Sequence, residues 1–342
     1  NPSKPEIKPE LIYDRNYQDR YTDPGQFQTK RNQYGRSVLE MDGENVFLVG
    51  NGFSDEGVKP FIDKYNVKSK KSIRLWQADG KETYEQIYDL KDVKKGVLLT
   101  RIESKNIFPN YYFRNIKTGK LQQITSFVNP FLSIQNVNKE IIKYKREDGL
   151  ELSATLYLPT EYEKGKKYPM VMWAYPQEFK DKNTAAQVTT SPHEFTYPSY
   201  GSPIFWVTRG YVVLDDAAFP IVGEGTDEPN DTFIKQLVAN AKAAIDAVDN
   251  LGYIDRNKVA VGGHSYGAFM TANLLTHSDL FAAGIARSGA YNRTLTPFGF
   301  QSEERNYWEA PTIYYEMSPF MHAEKMKTPM LMIHGAADNN DG

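Results

Sequence analysis

Ser265 stands in Gly263-His264-Ser265-Tyr266-Gly267, a G-x-S-x-G pentapeptide. A serine hydroxyl attacks a carbonyl only when it is exposed and held beside a base and beside donors for the oxyanion. The pentapeptide meets the first condition if it forms a sharp turn from strand to helix. Glycine on either side then lets the two backbones pass close together. By chance the pattern arises in roughly one chain in ten of this length, so its context decides. Lys258 leads into a short β-branched apolar run, residues 259–261, and residues 268–275 have helix-forming composition without Gly or Pro.

A serine nucleophile on such an elbow is followed along the chain by an acid and then a histidine. Asp338 lies just after the apolar run 330–333 and suits the acid that orients the base; Asp341 is its neighbour and competitor. The five histidines are His193, His264, His277, His322 and His334, and none follows Asp338. His264 adjoins the nucleophile on a turn that points its ring away, and His334 is expected to pack or cap at its strand end. The catalytic histidine is therefore expected outside these 342 residues, with the chain a fragment and inactive alone. One oxyanion donor is expected from the backbone N–H of Tyr266. The second belongs after the strand ending in Trp173-Ala174-Tyr175-Pro176, where Tyr175 either offers its hydroxyl or packs as an aromatic.

These residues need a parallel sheet to hold them. The apolar runs 168–175, 211–214, 259–261, 283–286 and 330–333 suit strands covered on both faces. Residues 232–251 carry Ile234, Leu237, Val238, Ala241, Ala244, Ile245, Val248 and Leu251 at helical spacing, with Asp231 as the expected cap. A hairpin is expected over 140–158 around Glu147-Asp148-Gly149. Strands alternating with helices predict a doubly wound α/β domain over residues 136–342.

Residues 1–135 differ in texture, being polar, tyrosine-rich and built of short alternating segments. Residues 37–49 read as a hairpin around Asp42-Gly43. Residues 66–71 (Asn-Val-Lys-Ser-Lys-Lys) are echoed at 115–120 (Asn-Ile-Lys-Thr-Gly-Lys), an offset of 49 (115 minus 66). A strand–turn–strand unit repeating near 50 residues suggests β-propeller blades, of which 1–135 would hold the C-terminal two.

The bulk composition sets limits. A net charge of -2 gives no case for nucleic acid or an anionic membrane as partner. No run approaches a membrane span. With no cysteine, disulfides, thiolate metal sites and a cysteine nucleophile are excluded, and the compartment is left unfixed. No metal or organic cofactor is expected. The 23 tyrosines and 18 phenylalanines suit β-rich segments and peptide-binding surfaces.

Longer strings add a resemblance. Gly262-Gly-His-Ser-Tyr-Gly-Ala268, the Tyr175-Pro176 pair and His334-Gly-Ala-Ala-Asp-Asn-Asn340 resemble the prolyl oligopeptidase family of serine peptidases. Residues 220–225 (Pro-Ile-Val-Gly-Glu-Gly) and 286–301 resemble its glutamyl endopeptidase branch, known from plant chloroplasts and bacteria. The resemblance implies a β-propeller followed by an α/β-hydrolase domain, with Ser265 as nucleophile and Asp338 as acid. It also implies oligopeptide substrates that the propeller filters by size. Cleavage after Glu would need a cation in the specificity pocket. Arg293 is the candidate, walled by Phe298 and Phe300, with Arg287 and Arg305 as rivals and a structural arginine as the alternative. A carboxylesterase or other acyl hydrolase on the same fold, and a non-catalytic scaffold, are the competing readings.

Overall fold

A computed structural model describes residues 6, 8 and 10–338. The chain divides into two compact units, residues 1–129 with 187–195, and residues 130–186 with 196–342. The division falls a few residues before the one expected at 135/136. It also assigns the segment 187–195 to the first unit, which the sequence does not signal. Backbone N–H of Val188 donates to Tyr21 Oη at 2.9 Å, and Gln187 Nε2 to Asp19 Oδ1 at 2.7 Å.

The first unit holds two antiparallel meanders. One runs Gln26–Phe27, Asn45–Gly50, Phe61–Asn66, Lys71–Gln77, with Met41–Asp42 also paired to Asn45–Gly50. The other runs Tyr84–Asp92, Val97–Glu103, Asn110–Asn115, Leu121–Gln123. The two echoed hexapeptides are the turns between the third and fourth strands of each meander. Their geometry matches. Asn66 Oδ1 accepts from the N–H of Lys68 and Ser69 at 3.1 and 2.8 Å, and Asn115 Oδ1 from Lys117 and Thr118, both at 3.0 Å. These are propeller blades, packed on each other through Phe47, Ile62 and Leu98. The hairpin expected over 37–49 is shorter. Only residues from 41 onward form it around Gly43, because Ser37–Leu39 pairs back with Thr29–Arg31 instead.

The second unit is one seven-stranded sheet. Its strands are β1 (Lys139–Lys145), β2 (Glu151–Tyr157), β3 (Tyr168–Phe179), β4 (Val212–Val222), β5 (Ile254–His264), β6 (Ala283–Arg287) and β7 (Met330–Ile333). Their spatial order is β1-β2-β4-β3-β5-β6-β7, with β1, β2 and β4 antiparallel neighbours and the rest parallel. This is the α/β-hydrolase fold. β4 and β5 lie on opposite sides of β3, so the chain reverses its direction of travel there. The crevice beyond the C-terminal ends of β3 and β5 is the topological switch point, where open α/β sheets bind ligands.

Two helices cover the sheet. α1 (Phe233–Asn250) buries Leu237, Ala241, Ala244, Ile245 and Val248, as its spacing predicts, and adds Phe233. Leu251 remains 48% exposed. Asp231 does not cap α1. Its carboxylate accepts from the backbone N–H of Glu228 at 3.0 Å, closing the short turn before the helix, and Thr232 occupies the cap position with its hydroxyl accepting from Gln236 Nε2 and not from the helix backbone. α2 (Tyr266–His277) is buried from Tyr266 to Thr276. A helix apolar on every side sits inside the domain, so its first residue is held from all directions.

Candidate active site

The residue just before α2 is Ser265, with φ 55° and ψ -115°. Positive φ in a residue with a Cβ costs on the order of 1–3 kcal/mol, and such strain persists only where the surroundings fix it. Three backbone bonds do so here. Ser265 N–H donates to Arg287 O at 2.8 Å, tying the turn to the end of β6, and Ser265 O accepts from Ala268 and Phe269 at 2.9 and 3.1 Å. A serine in the cap position ordinarily bonds to the helix with its hydroxyl. Ser265 makes no such bond, and the residue is half-buried rather than enclosed.

The flanking glycines have a steric cause. A Cβ on Gly263 would lie 2.5 Å from the carbonyl carbon and oxygen of Gly267, and one on Gly267 would lie 2.6 Å from Ala174 O. Strand, turn and helix therefore meet backbone to backbone. The N-terminus of α2, the positive end of its dipole, faces the crevice.

Tyr266 follows Ser265, with its N–H at that helix end. Its side chain is 1% exposed and its hydroxyl donates to Glu178 Oε1 at 2.6 Å. Burial pushes the Tyr266 hydroxyl well above its ordinary range, and the neighbouring carboxylate adds to this. Burial likewise raises Glu178, against the lowering effect of the Tyr266 hydroxyl and Arg293. Tyr175 lies inside β3, which continues to Phe179 instead of ending there as the sequence suggests; it is 47% exposed, its ring centroid 6.0 Å from that of Tyr266.

Asp338 lies five residues past β7, and Ser265 one residue past β5, both beyond the C-terminal edge of the sheet with only β6 between their strands. Asp338 Oδ2 is 3.7 Å from Nε2 of His334. Asp341 lies outside the described residues. His264 points Nδ1 at Arg287 O, 3.2 Å away, rather than across the turn to its neighbour.

Of the specificity candidates, Arg293 and Phe300 come together and Phe298 does not join them. Arg293 is 7% exposed, with its guanidinium 4.3 Å from the ring centroid of Phe269, 5.0 Å from Phe300 and 5.6 Å from Tyr266. Phe298 is 81% exposed and leans on Trp308. Arg305 is occupied by Glu303 through two 2.8 Å bonds and by Asp231 at 2.8 Å. Arg287 lies over the ring of Tyr200 at 5.1 Å. Sequence reasoning missed Glu178 entirely. It is separated from Tyr266 by 88 positions, and no local pattern marks it.

Comparison with known proteins agrees with this picture. Residues 232–341 match the Prolyl oligopeptidase family. The whole chain is 45% identical to a probable glutamyl endopeptidase, chloroplastic, from Arabidopsis thaliana and 44% identical to one from Oryza sativa subsp. japonica. It spans 37% and 38% of their lengths. The crystal structure of Porphyromonas gingivalis dipeptidyl peptidase 4 superimposes with a TM-score of 0.63 at 17% identity, over 90% of this chain and 44% of that one. The chain carries a prolyl oligopeptidase family domain and resembles the glutamyl endopeptidases within that family.

Proposed function

We propose that this chain supplies the nucleophile and the acid of a serine peptidase that cleaves oligopeptides through an acyl-enzyme. The observation that carries the reading is Ser265 itself: a half-buried residue at a helix cap, on strained backbone, whose hydroxyl does not cap the helix. Ser265 Oγ attacks the scissile carbonyl. The proton passes to a histidine that follows Asp338 in the full-length protein, and returns on the leaving amine. Asp338 orients that imidazole and stabilises its charged form. Tyr266 N–H and the Tyr175 hydroxyl receive the developing oxyanion. Water then releases the acyl group. No step calls for a metal or an organic cofactor.

Preference for Glu at the cleaved position rests on two supports. The relatives at 45% and 44% identity are named glutamyl endopeptidases. The Arg293 guanidinium lies 5.6 Å from the Tyr266 ring and 5.0 Å from the Phe300 ring, next to the elbow. A bidentate Arg–carboxylate contact discriminates Glu from Gln strongly.

The test uses the full-length protein and a fluorophosphonate probe. Labelling that disappears in Ser265→Ala, with turnover of Glu-containing oligopeptides, is expected. A folded protein that takes no label is a scaffold, and one that hydrolyses short acyl esters but no peptide is an esterase. An Arg293→Met variant that keeps the parent's ratio of Glu to Gln cleavage removes Arg293 from the specificity pocket.

A further inference from the structure

Glu178 is a half-buried carboxylate near the end of β3 that no step of the proposed reaction uses. It accepts the Tyr266 hydroxyl at 2.6 Å. The positive charge of Arg293 and a hydrogen bond from the Ser302 side chain also act on its carboxylate. Tyr266 is in turn the residue whose backbone N–H must point at the oxyanion. The two functions of Tyr266, donor by its backbone and anchor by its side chain, meet at one Cα.

The ring of Tyr266 is confined on the remaining sides. Phe269 stacks on it at 5.3 Å and 12°, Phe233 lies tilted at 5.9 Å, Tyr175 meets it edge-on at 6.0 Å, and the Arg293 guanidinium sits 5.6 Å away. Apolar and aromatic walls hold a ring in a slot, but they leave rotation in the ring plane and sliding along the slot weakly opposed. The hydrogen bond at the far end of the ring removes that freedom. Glu178 sits in the stretch of β3 that pairs with β4, opposite Ile221, a few residues past Tyr168–Trp173, which pairs with β5 as well. A rigid element thereby reaches across to the first turn of α2. Catalytic donors act best when their own supports are fixed in this way.

We propose that Glu178 is a positioning residue for the oxyanion donor: by holding the Tyr266 hydroxyl it fixes the first turn of α2, and with it the direction of the Tyr266 N–H. The inference rests on the reading of Ser265 as nucleophile. It concerns the transition state, where charge develops on the oxyanion, and not the binding of substrate.

The experiment compares Glu178→Leu, Glu178→Gln, Tyr266→Phe and the double variant Glu178→Leu/Tyr266→Phe in the full-length protein, measuring kcat and KM separately on one oligopeptide. Tyr266→Phe keeps the backbone N–H and removes only the anchor. Loss of a hydrogen bond to a charged group translates into roughly a ten- to hundredfold fall in kcat if all of it is felt in the transition state. Glu178→Leu and Tyr266→Phe should each show such a fall with KM within about twofold. Glu178→Gln still accepts from the hydroxyl and should recover most of the rate. The double variant should be no worse than the poorer single one, because both remove one interaction. A Glu178→Leu or Tyr266→Phe enzyme with parental kcat overturns the proposal, as does a double variant whose losses multiply, or a loss that appears only in KM. If Glu178→Leu does not fold, Tyr266→Phe decides alone. Absence of Ser265-dependent turnover in the parent would instead remove the peptidase reading, and the positioning role with it.

Discussion

Alanine at Gly263 or Gly267 should disable Ser265 as the proposed nucleophile, whereas alanine at Gly262, equally buried, should not. The difference lies in what each new methyl meets. At Gly267 it would sit 2.6 Å from Ala174 O, and at Gly263 it would sit 2.5–2.6 Å from three backbone atoms of Gly267. Ordinary contact begins near 3.4 Å, so strand β3 or helix α2 must shift by nearly 1 Å. Neither can do so cheaply, since β3 is paired on both sides and α2 is buried along most of its length. At Gly262 the nearest atoms belong to the Trp173 ring, at 2.5 and 2.7 Å, with backbone only at 3.1 Å. A half-buried side chain turns aside more easily than a ladder. Overpacking costs about 1–3 kcal/mol, and an error of ~1 Å at a reacting group costs on the order of a hundredfold in rate. The assay is the second-order rate of fluorophosphonate labelling of the full-length protein, read alongside its melting temperature. Gly263→Ala and Gly267→Ala should label about a hundredfold more slowly than the parent, and Gly262→Ala within about fivefold. Rates within about threefold of the parent for both elbow variants, or Gly262→Ala emerging as the worst of the three, would refute the close-approach argument.

Other expectations follow from individual side chains. Burial raises Asp215 to about 6 from 3.8, chiefly by desolvation. Its folded pKa is the higher one, so its protonated form favours the fold below pH ~4 and that benefit is lost as pH rises through 6. Asp215→Asn should therefore raise the melting temperature at pH 8 by an amount equivalent to at most roughly 3 kcal/mol, and change it little at pH 4; equal shifts at both pH values would contradict this. Arg146, buried, bonds Asp148, Asn240 and Gln236 at 2.7–3.2 Å. Arg146→Met should cost about 3 kcal/mol or more in thermal or urea unfolding, as removal of one partner from a buried polar network does, and a loss below ~1 kcal/mol would show the network to be incidental. Asn66→Ala and Asn115→Ala should destabilise their blades by similar amounts, about 1 kcal/mol each, measured by hydrogen exchange in the adjoining strands; a large effect at one and none at the other would break the equivalence of the two turns.

Much of this architecture is legible in the sequence because it is written in local patterns. The five apolar runs from residue 168 onward are β3 to β7, and the three- and four-residue spacing from Leu237 to Val248 is the buried face of α1. The Asn-initiated turns announce the blades because one side-chain oxygen and two backbone N–H groups suffice to build each of them. The elbow is legible for the same reason, since its glycines record a steric demand. What escapes is whatever depends on distant partners. Asp231 resembles a helix cap, yet it closes the turn before the helix, because Glu228 N–H lies within its reach. The segment 187–195 looks like any loop of the second unit, and its bonds to Asp19, Arg20, Tyr21 and Glu103 assign it to the first.

Tyr266 illustrates why such features stay hidden. In G-x-S-x-G the position after the serine is written as free, since its backbone N–H is all that the chemistry asks for, and any residue but proline has one. In this protein that position holds a tyrosine with 1% exposure, ringed by Phe233, Phe269, Tyr175 and Arg293 and anchored to Glu178. A side chain so enclosed is selected by its neighbours rather than by the motif. The residues that enclose it come from β3, the start of α1, α2 itself and the segment after β6. The donor and the specificity candidate Arg293 are thus coupled through one ring. Substitutions at Arg293 should therefore change kcat as well as the ratio of Glu to Gln cleavage.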